Sequence, residues 1–114
     1  MSDKERLTRL QQISALQRDL ALTDLSSAAL ARDHSLTQIA ALDRESPATD
    51  LPALVEEQVR FAYRCWADER RAELNLTLAR QTAEWMAQRD AAALSFGRAE
   101  VLDRLAKRKK PGQR

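Results

Sequence analysis

The sequence predicts an all-α chain, an antiparallel two-helix coiled-coil hairpin whose longer second helix projects past the N-terminus. Three observations carry this. From Pro52 to about Lys109 there is no further proline and one glycine, Gly97, in a run rich in Ala, Leu, Glu, Gln and Arg. These are strong helix formers because their side chains lose little rotamer freedom in a helix. A second run of the same kind precedes it, and Pro47 and Pro52 divide the two. The composition agrees: of 114 residues 32% are charged and only 4% aromatic, which suits long helices better than a thick globular core. An unbroken helix over the second run would be roughly 85 Å long. A compact domain near this chain length has a radius of gyration of about 13 Å. Such a helix needs a partner along its length, and the first run supplies one within a single domain, 1–114.

The first helix is expected over about 3–45. Ser2-Asp3-Lys4-Glu5 reads as a capping box, with Ser2 accepting from the first turn and Glu5 reaching back. Leu7, Leu10, Ile13, Leu16 and Leu20 recur at spacings of three and four, on one stripe. Leu22, Leu25, Ala29, Leu36, Ile39 and Asp43 continue a seven-residue rhythm in another phase, so the seam is expected to stutter near Leu20–Leu22.

The turn is expected over 46–51. Proline disfavours the α conformation in the residue before it, and Pro47 and Pro52 act so on Ser46 and Leu51. Asp50 is the candidate N-cap of the next helix, with Pro52 in its tolerant first turn.

The second helix is expected over about 52–109. Val55, Val59, Ala62 and Trp66 start its seam, Leu74, Leu78, Gln81, Trp85 and Ala92 continue it, and Leu94, Val101 and Leu105 finish it. Cys65 is read as a small seam residue. Glu100–Arg104 and Asp103–Lys107 are i,i+4 pairs in the favourable order. Folding back at a tight turn sets Met1 opposite about residue 95. Phe96 to Lys109 would then overhang as a single helix, with Phe96, Val101, Leu102 and Leu105 lacking a partner in the same chain.

Charge is unevenly placed. The whole chain carries +2, but residues 1–94 hold 12 Lys/Arg against 15 Asp/Glu, and 95–114 hold 7 against 2. The basic tail 107–114 admits three readings. It is a solvated helix end complementing the dipole, a docking element for an acidic protein, or a contact for nucleic acid or anionic lipid. A nucleic-acid patch would usually interleave aromatics, and this tail has none.

Catalysis needs two or three groups converging in a water-poor pocket. The single histidine, His34, and single cysteine, Cys65, leave no such set, and no Gly-rich phosphate loop or metal-ligand spacing occurs. The expectation is no enzyme, no cofactor, no metal site and no small-molecule substrate. One cysteine permits no internal disulfide and suits a reducing compartment. The opening MSDKERLTRLQQ lacks a signal-peptide core, and no apolar run has membrane-spanning length, so a cytoplasmic location is expected. Phe61, Tyr63 and Trp66 cluster near the turn. They either plug the seam or form a contact surface. Tyr63 and Trp66 can share a face, but Phe61 and Tyr63 cannot, so at least one ring should point outward.

Three segments carry a family resemblance: RLTRLQQISALQRDLALTDL at the start, QVRFAYRCW after the turn, and FGRAEVLDRLAKRKK at the end. Together they make the chain resemble the FliJ/YscO type of protein from bacterial flagellar and type III export, whose typical members are longer. That resemblance implies a coiled-coil stalk of an export ATPase, with paired termini in the hexamer's central hole and the hairpin contacting the membrane export gate. Arg98, Arg104, Lys107, Arg108, Lys109 and Lys110 would then face the ATPase. Phe61, Tyr63 and Trp66 would face the gate, and the protein would work in the cytoplasm at the inner membrane. Two other readings stand beside it: a self-associating coiled-coil adaptor or chaperone-like protein, whose copies cover each other's overhang, and a small helical nucleic-acid-binding protein.

Overall fold

The computed structural model describes residues 2–44 and 50–108. The chain is all-α, as expected. Helix α1 spans Asp3–Arg44 and helix α2 spans Ala53–Arg108, and the two pack against each other, the second being longer. Ser2 caps α1: its Oγ accepts the Glu5 N–H at 3.2 Å, and its carbonyl accepts from Arg6 at 3.1 Å. At α2 the first carbonyl to accept is that of Pro52, from Glu56 at 2.9 Å. Pro52 therefore holds the cap position expected of Asp50, since the N-cap is the residue whose carbonyl takes the first helical bond. The expected turn 46–51 falls largely outside the described residues, as do Lys109, Lys110 and the rest of the tail.

Each helix buries one continuous stripe. Along α1 it runs Leu7, Gln11, Ser14, Arg18, Ala21, Leu25, Ala28, Arg32, Ser35, Ile39 and Leu42, and none of these is exposed. Along α2 the same alternation of three and four runs from Ala67 and Leu74 through Trp85, Ala92 and Ala99 to Ala106. Unbroken heptads of this kind are coiled-coil seams. The expected stutter is absent. Leu10, Ile13, Leu16, Leu20, Leu22 and Leu36 were read as seam residues, yet all are exposed, and so is Asp43.

The chain divides into two compact units. The turn half, Leu30–Ala83, carries the cluster of large apolar residues: Leu42, Ala67 and Leu74 are buried, with Ile39 and Tyr63 packed against them. Ser35 Oγ donates to Gln81 Oε1 inside this seam, and Arg32 Nε donates to Thr82 Oγ1 at 3.1 Å. A satisfied polar pair in a helical seam penalises any shift of register, since a slip would strand both groups. Arg71 reaches Asp43 at 2.6 Å and Asp68 at 2.8 Å. The hydrogen bond that Arg71 donates to Asp43, above all, raises the Arg71 pKa from its ordinary value. The guanidinium therefore stays charged at any physiological pH. The bridge is solvent-facing, and water and salt screen it.

In the terminal half, Met1–Ala29 with Glu84–Arg114, the buried side chains are small: Ser14, Ala21, Ala92 and Ala99. Gln11 Nε2 donates to Asp103 Oδ1 at 3.1 Å, and the Arg18 guanidinium lies 5.9 Å from the Phe96 ring centre. In each of these pairs the residue numbers add to 114, so the helices are antiparallel and Leu7 lies level with Lys107. Among the described residues the expected overhang is therefore absent. Phe96 has Arg18 beside it, Leu102 lies in the seam, and Asp103 takes Gln11 where a bond to Lys107 was expected.

The surplus of α2 lies at its other end. In the turn half Asp43 pairs with Arg71, so α2 from Ala53 to about Trp66 runs past the last turn of α1. The tight-turn expectation misplaced the register by 17 residues, about 26 Å along a helix. Eight residues separate the helices, and eight extended residues reach about 26–29 Å. Linker length thus permits either register, and the side chains of the seam choose between them.

Candidate interaction surfaces

In the turn half, the segment of α2 beyond Arg44 has no helix beside it among the described residues, and several of its large apolar side chains are exposed. Leu54 is 70% exposed, Phe61 61% and Trp66 52%. Val55, Ala62 and Trp66, expected in the seam, are exposed because α1 ends before reaching them. Two rings point outward, where the argument required at least one. Tyr63 is half-buried, its ring centre 5.7 Å from that of Trp66 at a 42° tilt. Its hydroxyl is buried without a partner among the described residues. Leu54, Glu57, Gln58, Phe61 and Arg64 line a shallow groove beside the rings. Cys65, expected in the seam, is exposed. It stands two residues before the buried Ala67, and neighbours so spaced do not share a helix face.

In the terminal half, most large apolar residues lie outside the seam, Leu7, Leu25, Trp85 and Leu102 excepted. The contacts Gln11–Asp103 and Arg18–Phe96 mark one edge of the helix pair. Leu10, Ile13 and Leu20 sit on the other flank of the α1 stripe, and Leu94, Val101 and Leu105 sit on the other flank of the α2 stripe. For antiparallel helices these two flanks form one face. The register sets Leu20 level with Leu94 and Ile13 level with Val101. All six are exposed. Leu94, Val101 and Leu105 were expected in the seam, which instead uses Ser95, Ala99, Leu102 and Ala106.

The basic residues expected to face a partner fall in this half too. Arg98, Arg104, Lys107 and Arg108 are exposed, and Arg104 is bridged to Glu100. The register adds three residues that sequence reasoning missed. Arg6 and Arg9 of α1 lie level with Arg108 and Leu105 in the last turn of α2, and Lys4 stands two residues before Arg6, so the basic end is built from both helices. The signal was in the sequence, but an N-terminus placed opposite residue 95 hid it.

His34 is exposed. Among the described residues no three His, Cys, Asp or Glu side chains gather as a metal site would require, and no helix is long and apolar enough to cross a membrane. No known protein family, curated protein or solved structure matches the chain.

Proposed function

We propose that the chain is a non-enzymatic coiled-coil component of a bacterial flagellar or type III protein-export apparatus. It acts as a central stalk and adaptor between the export ATPase and the membrane export gate. The observation that supports this most is the two-helix basic end. Lys4, Arg6 and Arg9 lie beside Arg104, Lys107 and Arg108 on a helix pair with a narrow alanine and serine seam. A slim paired terminus with a basic rim suits a hole lined by acidic groups, because complementary charge steers docking and fixes its orientation. The resemblance of the opening and closing segments to FliJ/YscO-type proteins points the same way. Phe61 and Trp66, exposed on the unpaired part of α2, suit a gate contact, since aromatics anchor interfaces. This work is done on the cytoplasmic side of the inner membrane.

The test is ATP hydrolysis and hexamer assembly by the cognate export ATPase with and without the full chain. The chain should raise one or both, and Arg104→Glu with Lys107→Glu should abolish the effect. Trp66→Ala should leave it intact while weakening gate binding about 30-fold, as for an aromatic hot spot. An ATPase indifferent to the chain contradicts the proposal.

A further inference from the structure

We infer that the apolar face of the terminal half binds a second copy of this chain. The helices pair antiparallel and face to face, α1 against the partner's α1 and α2 against its α2. The inference stands on that face alone and does not need the export reading. Leu10, Ile13, Leu20, Leu94, Val101 and Leu105 are each 40% exposed or more, and they form one strip two helices wide. Soluble chains rarely leave a strip of this kind uncovered.

Charge selects the occupant and its orientation. Arg6 and Arg108 stand level with each other at one end of the strip, and Asp24 and Asp90 stand level at the other. All four are exposed; Asp90 makes a 3.9 Å contact with its neighbour Arg89. Two two-fold arrangements can bring the strip against itself. One keeps the ends together and sets Arg6 beside the second copy's Arg108, like against like. The other reverses the second copy. Arg6 then meets the second Asp24, Arg108 meets the second Asp90, and the leucines of one end meet those of the other. Only the reversed arrangement is complementary, and like charges set opposite one another are strongly disfavoured.

Size sets the strength. From Arg6 to Asp24 the face is about 27 Å long and about 20 Å wide, so two copies bury about 1,000 Å² in total. That is the low end for specific interfaces, and the dimer should dissociate in the micromolar range. Arg98 lies near the two-fold, where each copy brings the same charge. It opposes the pairing, which keeps the dimer able to part.

Sedimentation equilibrium of the full chain, with reductant to silence Cys65, tests this. A reversible monomer–dimer equilibrium is expected, weakened by salt. Arg6→Asp with Arg108→Asp should raise the dissociation constant about tenfold or more. Adding Asp24→Arg and Asp90→Arg should restore it, and Arg98→Gln should tighten it. All four charge positions are exposed, so circular dichroism should show unchanged helix content. A chain monomeric to about 100 μM, well above a micromolar constant, overturns the inference. So does an assembly that grows beyond two copies, or a charge reversal that the compensating pair fails to rescue. Failure of this pairing and failure of the export reading remain distinguishable, because activation of the export ATPase is tested at Arg104 and Lys107, which the pairing does not use.

Discussion

The turn half and the terminal half are built from the same two helices but bury different chemistry. The turn half seals Leu42 and Leu74 against Ala67, with Ile39 and Tyr63 around them. The terminal half closes on Ser14, Ala21, Ala92 and Ala99 and leaves Leu10, Leu16, Leu20, Leu22, Leu94 and Leu105 exposed. Burial is worth about 0.8 kcal/mol per CH₂, so an alanine seam gains far less per layer than a leucine seam. One half carries its own core of large residues, and the other leaves most of its large apolar side chains exposed.

That contrast can be broken by substitution, with urea unfolding of dilute, monomeric protein as the measurement. The largest effect is expected in the turn half, where Leu74→Ala should cost about 2–5 kcal/mol, because the buried site cannot fully collapse around the missing atoms. Leu94→Ala is the matching truncation in the terminal half and should fall within about 0.5 kcal/mol of the parent, as for other exposed sites. Equal costs would mean that the seam passes through Leu94, and the contrast would be lost. The next effect is overpacking. Ala99→Leu should cost about 1–3 kcal/mol, since close helix packing there leaves no room for a branched side chain. The smallest is a gain. A Cβ at Gly97 meets nothing within 4 Å, so Gly97→Ala should stabilise the helix by about 0.5–1 kcal/mol through backbone entropy alone.

The sequence made the elements legible and the register illegible. Two helices, their limits and the serine cap follow from propensity, prolines and local hydrogen bonding, which are properties of neighbouring residues. The seam was recovered where large residues mark it, at Leu7, Leu25, Ile39, Leu74, Leu78 and Trp85. It was lost where Ser14, Ala21 and Ala99 mark it, because apolar periodicity follows the larger side chains and here most of those face outward. Of the candidate surfaces, an outward ring near the turn was legible from the spacing, but Trp66 was expected in the seam and is exposed. The contribution of Lys4, Arg6 and Arg9 was not legible, because it depends on a register that a permissive linker leaves open.

The register is therefore the claim to measure first. Spin labels at Gln11→Cys and Asp103→Cys, in a Cys65→Ser background, report it as a distance. The account predicts backbones about one helix diameter apart, ~10–12 Å, with the label arms added. In the register of a tight turn Asp103 would stand about 26 Å further along the helix axis, and a distribution centred there would contradict it.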